Sequence, residues 1–246
     1  MADKPILYTK KEHVGYITLN RPKRGNRIDP AMAQELAEVC TQINGDEEAY
    51  LVVVTGAGDK FCSGKAGPLP LKNNPAESFG QIECPTLAAL NGEAIGEGLE
   101  IALACDLRIA ADKAKFALPQ ITEGYIPLGG GTQRLSRIVG KGKALEMILT
   151  GETIDAKAAY EIGLVNKVVS HEGLMSEVET LANSLAGKGP IALRYVKEAV
   201  NKGLDLTLEQ GLRLEADLYF LIHTTADRTE GIHAFLEKRK PEYKGK

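Results

Sequence analysis

The stretch NGEAIGEGLEIALACDLRIAA, residues 91–111, sets Gly92, Gly96 and Gly98 around Glu93 and Glu97 and then runs into an Ala- and Leu-rich segment. The spacing predicts a helix over 98–105, followed by a strand in DLRIAAD. Glu97 and Glu100 therefore fall at the mouth of an apolar helix. Two readings are open for them. Carboxylates complement a helix N-terminus by about 0.3–1 kcal/mol, or one of them does acid–base chemistry in a closed pocket. Burying a carboxylate amid GLEIALAC is costly for so small a dipole gain, which favours chemistry for Glu100.

Upstream, CPTLAALNG predicts a buried strand, and so does the β-branched run LVVVTG at 51–56. Residues 6–10 and 13–20 read as a hairpin around a short polar turn. Asp29-Pro30 predicts the start of a helix reaching about Asn44. Between them, GAGDKFCSGKAGPLPLKNNP is a Gly-, Pro- and Asn-rich loop too long for a mere connection. KFALP predicts a further strand. Buried strands alternating with helices indicate an α/β architecture. After about residue 170 the pattern becomes helical: Leu174, Val178, Leu181 and Leu185 keep helical spacing, as do Ala192, Val196, Ala199 and Val200. Helices are expected through LTLEQGLRLEADLYFLI and from about Ala226 to Lys238.

Composition narrows the function classes. The 246 residues are 43% hydrophobic and 26% charged, ample for one core with an appended subdomain. A net charge of −3 gives no sign of a nucleic-acid partner. No apolar run has the roughly 18 residues needed to span a bilayer. The polar N-terminus lacks a signal-peptide stretch, so a cytoplasmic protein is expected. Cys40, Cys62, Cys84 and Cys105 are far apart and form no CxxC pair. They are expected to be reduced and buried, with neither a disulfide framework nor a metal site.

Two glycine-rich turns follow buried strands: FCSGKAG after LVVVTG, and NGEAIGEG after PTLAAL. Each can point backbone N–H groups into a shared cleft, and two donors converging on one carbonyl oxygen form an oxyanion hole. Glycine pattern alone marks only turns, and neither stretch completes a nucleotide-binding signature. Order and spacing say more. ITLNRP, VVVTGAGDKFCSG, NGEAIGEGLEIALACDLRIAADKAKFALPQITEGYIPLGGGTQRL, ILTGETIDAKAAYEIGLVNKVV and AFLEKRKPEYKG occur in this order along essentially the whole chain. The series resembles the enoyl-CoA hydratase/isomerase (crotonase) family.

That resemblance implies a spiral ββα core over 1–190 carrying an acyl-CoA site, and a helical subdomain over 191–246 used in trimerisation. It also implies a homotrimer or a dimer of trimers. The substrate would be a coenzyme A thioester, with no separate cofactor and no metal. The oxyanion donors would be the backbone N–H groups of Lys65 and Glu97. Both positions depart from the family, which has a small residue followed by Asp at Lys65-Ala66 and glycine at Glu97. Their side chains are expected to point to solvent or to pair at the rim. The sharper alternative is that Lys65 reaches the coenzyme A phosphates or a charged acyl group.

Glu100 matches the first catalytic glutamate of hydratases, while the second falls on Gln120, which cannot exchange a proton at neutral pH. Glu123, three residues on, is either its substitute or a solvated loop residue, and Tyr125 is a weaker proton donor. The resemblance assigns coenzyme A contacts to Lys23, Arg24 and Gly25 in RPKRGN, to Phe61 and Ser63, and to Phe235 and Lys238. Enoyl-CoA hydration, dehydration or double-bond isomerisation follows. A reaction run by one glutamate (thioester hydrolysis, C–C cleavage or decarboxylation) and a catalytically silent acyl-CoA binder are the alternatives. Acyl selectivity is assigned to the PLPLKNNPAESFGQI loop and the C-terminal helices.

Overall fold

The computed structural model describes residues 4–67 and 74–246. Strands β1 (Ile6–Lys11) and β2 (Val14–Leu19) form the expected antiparallel hairpin, and helix α1 (Pro30–Asn44) starts at Asp29. The Asp29 carboxylate accepts from the Met32 N–H at 2.9 Å, which explains why the Asp-Pro pair marks the boundary so sharply. Strand β3 (Leu51–Gly56) follows, then helix α2 (Pro75–Gly80), strands β4 (Thr86–Leu90) and β5 (Ala94–Ile95), and helix α3 (Glu97–Ala104). Next come β6 (Leu107–Ala111), β7 (Lys115–Ala117), α4 (Gly131–Val139), α5 (Lys141–Thr150), β8 (Ile154–Asp155), α6 (Ala156–Glu161) and β9 (Lys167–Val169). Helices α7 (Leu174–Ala186), α8 (Pro190–Gly203), α9 (Leu208–Ile222) and α10 (Ala226–Glu237) complete the chain.

The main sheet has the order β1-β2-β3-β4-β6-β9, parallel from β2 onward, and a small sheet has the order β5-β7-β8. Successive side chains of a strand face opposite sides, so a parallel sheet covered on both faces needs continuous apolar runs. Val52, Val54, Ala88 and Leu90 face the larger core, which includes residues of α1 and α3. Leu51, Val53, Leu87 and Ala89 face the other way, against Leu174, Val178 and Ala182 of α7. The helical spacing read at 174–185 is therefore a sheet-covering face. Helix α8 is tied to the core by Lys197, whose ammonium meets Asp106 at 2.8 Å and donates to the Cys84 carbonyl at 3.0 Å.

The structure adds elements that the sequence reading did not place: helices α4, α5 and α6, and β9 at the sheet edge, all before residue 170. Helix α2 begins at Pro75, the last residue of the long loop, and Asn74 caps it by accepting from the Ala76 N–H at 3.0 Å. The loop read as setting acyl selectivity lies partly outside the described residues, and its second half is this helix.

What positions the site is a backbone contact. The segment after β3 is zipped between two others: Cys62 N–H donates to the Glu93 carbonyl at 2.8 Å and Ile95 N–H to the Cys62 carbonyl at 2.9 Å. On its other side, Ile28 N–H donates to Gly64 O at 2.9 Å and Ala66 N–H to Ile28 O at 2.7 Å. Gly98 makes this approach possible, since a Cβ there would lie 2.3 Å from the Cys62 oxygen. Gly98→Ala should therefore lose about 1–3 kcal/mol in urea unfolding through overpacking. Gly142→Ala, where a Cβ meets nothing within 4 Å, should be neutral or slightly stabilising; equal stability of the two variants would contradict the close-contact account.

Candidate active site

Gly96, at φ 55°, bends the chain into α3, and Glu97 and Glu100 form its first turn. As the first helical residue, Glu97 has no intrahelical acceptor for its N–H. Lys65 offers a second such donor. Its flanking groups are taken by Ile28, so its own N–H faces the opposite side of the segment, toward α3. Neither N–H has a backbone acceptor among the described residues. Both lie near the Glu97 carboxylate and lower its pKa against the effect of burial.

That carboxylate corrects an expectation. The Glu97 side chain does not run to solvent; it is largely buried, with Oε2 3.5 Å from the position a Cβ would take on Gly64. Burial raises its pKa, opposed by its own N–H, the Lys65 ammonium and the Lys65 N–H. Nor does Lys65 extend away. Its Nζ lies 3.9 Å from the centre of the Tyr125 ring. Tyr125, with Glu97 and Glu123, holds that ammonium above its ordinary value. Lys65, Tyr125 and Glu97 therefore form a polar cluster at the mouth. Glu123 is exposed and acts on this cluster only through its charge.

Glu100 lies deeper, at 2% exposure. Its Oε1 accepts from the Gly131 N–H at 3.0 Å, and the Gly129 N–H is a second donor. The glycines are needed here: a Cβ on Gly129 would stand 3.0 Å from both the Glu100 carboxylate and Asn74 Oδ1. Arg134, at 2.8 Å from the Gly129 carbonyl, adds a partly buried positive charge. Desolvation still wins. It pushes the Glu100 carboxyl up to about 7 against the Gly131 donor, with repulsion from Glu97 adding to the rise. Gln120, also at 2% exposure, has neither its amide nitrogen nor its oxygen hydrogen-bonded among the described residues. Its Nε2 is 3.6 Å from the Cβ position of Gly96, at the same helix mouth. A buried amide with no partner is rare in a folded chain and marks a place where a ligand or water is received.

A sequence profile of the enoyl-CoA hydratase/isomerase family matches residues 9–76 and 71–246. The chain belongs to this family. It is 39% identical, over 99% of both chains, to the crotonyl-CoA hydratase of Syntrophomonas wolfei. It is 37% identical to the (E)-benzylidenesuccinyl-CoA hydratase of Thauera aromatica, over 98% of this chain and 99% of that one. Among solved structures, an enoyl-CoA hydratase from Bacillus anthracis superposes with a TM-score of 0.95 at 40% identity, covering 98% of this chain and all of the other. The fold is accordingly the crotonase fold read from the sequence, and the chain is an enzyme of this family.

The enoyl-CoA hydratase/isomerase motifs lie in the structure as follows. Lys65, Glu97, Glu100, Gln120 and Tyr125 come together around the mouth of α3. Lys23 and Arg24 are exposed on a single helical turn ending at Gly25, whose carbonyl accepts from the Ser63 N–H at 2.9 Å. The Ser63 hydroxyl donates to Glu93 at 3.1 Å. Phe61 is a correction: the residue is wholly buried in the core. Phe235 is 82% exposed and Lys238 caps α10. Neither is hydrogen-bonded or ion-paired to the residues around Glu100 among the described residues. His13 stacks on Tyr50 at 4.0 Å, away from the site. All four cysteines are free and buried; burial takes the Cys62 and Cys105 thiols up to about 12. No metal-holding cluster of His, Cys, Asp and Glu occurs among the described residues, and no described helix is long and apolar enough to cross a membrane.

Glu100 also sets a stability test. Its carboxyl titrates at about 7 in the folded chain against an ordinary 4.5, so between these values the folded state holds a proton that the unfolded state has lost. Stability is therefore lost as pH rises through that window. Glu100→Gln should gain on the order of 3 kcal/mol over the parent at pH 8 relative to pH 4, by denaturant unfolding at both. A pH-independent difference would show that burial does not shift this group.

Proposed function

We propose that this enzyme adds water to a conjugated enoyl-CoA thioester, or removes it, using Glu100 as the sole proton carrier. The carrying observation is the Glu100 carboxyl, buried at the mouth of α3 and pushed up to about 7, on the helix whose first N–H, that of Glu97, has no backbone acceptor among the described residues. A group with its pKa near working pH both takes and returns protons readily.

The thioester oxygen accepts from the N–H groups of Lys65 and Glu97. The Glu100 carboxylate takes a proton from water as the water oxygen bonds to the β-carbon, and the double-bond electrons move toward the thioester as an enolate. The donor pair stabilises that developing charge. Glu100 then delivers its proton to the α-carbon and the enolate collapses. One water is added, and the carboxylate is restored, so a second carboxylate at position 120 is not required by the proton balance. Gln120 offers a donor and an acceptor to hold the water. Proton removal from the γ-carbon and return to the α-carbon would use the same carboxylate and give double-bond migration.

Coenzyme A enters as part of the substrate, and this proton balance calls for no separate cofactor. Lys23 and Arg24, exposed beside Gly25 and Ser63, suit its phosphates. Phe235 and Lys238 suit the nucleotide of a neighbouring subunit. A homotrimer, alone or paired into a hexamer, is supported by Val196, Val200, Leu208, Leu212 and Phe220, large apolar side chains left exposed on α8 and α9.

Glu100→Gln should lower the turnover of crotonyl-CoA, read as loss of its conjugated absorbance, by about 10²–10⁴-fold. Glu123→Gln should stay within about twofold; a comparable loss there would make Glu123 the missing second carboxylate. Light scattering at micromolar concentration should return a mass of three or six chains, and a monomer would refute the assembly.

A further inference from the structure

Glu100 is held by a backbone that is pliable by composition. The turn into α4 is three glycines in a row, Gly129, Gly130 and Gly131. Closeness demands them. A Cβ on Gly129 would stand 3.0 Å from the Glu100 carboxylate, and one on Gly131 would stand 3.1 Å from its Oε1. Gly130 sits at φ 92°, where a side chain is strained. Yet the Gly131 N–H, which donates to Glu100 Oε1 at 3.0 Å, has to be aimed. A run of glycines brings the backbone close and leaves it loose, so the aim needs a hold from elsewhere.

Arg134 supplies that hold from the start of α4. Its backbone N–H donates to the Gly130 carbonyl at 2.7 Å and its Nη1 to the Gly129 carbonyl at 2.8 Å. One residue thus grips two successive carbonyls of the turn. The guanidinium is itself confined between Gly130 and Gly80, the last residue of α2. A Cβ on Gly130 would meet Nη1 at 2.6 Å, and one on Gly80 would meet Nη2 at 2.7 Å. A planar fork of donors suits such a slot where a flexible ammonium does not. We propose that Arg134 is a positioning residue for the reaction: lodged in the slot left by Gly80, it staples the triple-glycine turn and so fixes the direction of the Glu100 carboxylate. This rests on reading Glu100 as the proton carrier. A carboxylate on a swaying support is aligned for less of the time, so turnover falls, while thioester binding by other groups is kept.

Gly80→Ala tests this without altering Arg134 or Glu100. Outside its own helix, a methyl group there meets only the Arg134 guanidinium within 4 Å, so that side chain has to swing away. On crotonyl-CoA, Gly80→Ala should lower kcat by about three- to tenfold with KM within about twofold. Its urea midpoint should not fall, since alanine suits a helix better than glycine. Arg134→Ala should lower kcat by about 10–100-fold. Adding Gly80→Ala to it should cost nothing more, because the group it displaces is gone. Undiminished kcat in Gly80→Ala would overturn the inference, and so would a full further loss in the double variant. A raised KM at unchanged kcat would put Arg134 on the substrate, and a midpoint falling in step with kcat would make its role structural; either overturns it. The underlying reading fails separately, through undiminished turnover in Glu100→Gln.

Discussion

The site depends on one backbone-to-backbone contact. The chain after β3 presses so closely on the first turn of α3 that no side chain fits between them at position 98. The same crowding recurs at Gly92 and Gly56, where a Cβ would stand 2.0 Å from the Asp59 oxygen and 2.2 Å from the Lys60 oxygen. Buried amides brace the turn between. Asn91 donates to the carbonyls of Gly56 and Gly58, and Asn26 to those of Ala57 and Lys60. Two N–H groups far apart in sequence are thereby fixed against one another before any ligand arrives. Donors held in place need no reorganisation as charge develops, which is the source of their catalytic value.

The electrostatics of α3 follow from the same closeness. A helix mouth ordinarily favours ionised carboxylates. At Glu100 that preference is overridden, because desolvation outweighs the donors from Gly131 and Gly129 and the charge of Arg134. The outcome is a carboxyl poised between its two protonation states. Glu97, three residues earlier on the same turn, shares the direction of the shift but is less buried, with the Lys65 ammonium opposing the rise. Two glutamates on one helical turn thus differ in depth and partners, and these set their different behaviour.

Much of this was legible in the sequence. Asp29-Pro30 marks a helix start through a local hydrogen bond, so α1 announces itself within a few residues. The LVVVTG run declares a strand covered on both faces. Glu100 was legible because a carboxylate amid apolar residues is conspicuous. Its supporting partners were not, since Asn74, Gly129, Gly131 and Arg134 come from distant segments that only the folded chain brings together. The directions of Lys65 and Glu97 were left open between solvent and the rim for a related reason. A charged side chain beside a turn is read as solvent-facing until Tyr125 and the opposed N–H groups are in place. Helix α2 is short and rests on the Asn74 cap, too slight a signal inside a Gly- and Pro-rich stretch.

The state of the thiols has a consequence for the chemistry. Conjugated thioesters of the proposed kind are soft electrophiles that alkylate thiolates. Cys62 lies directly under the donor segment, its Cβ only 2.7 Å from where a side chain on Gly98 would begin. A thiolate there would be a target for the molecule the enzyme is built to hold. Burial keeps that sulfur protonated to about pH 12, and its hydrogen points to the Gly64 carbonyl at 3.4 Å. The packing that aims the donors also disarms the nearest nucleophile, protecting the enzyme from self-inactivation by its own substrate.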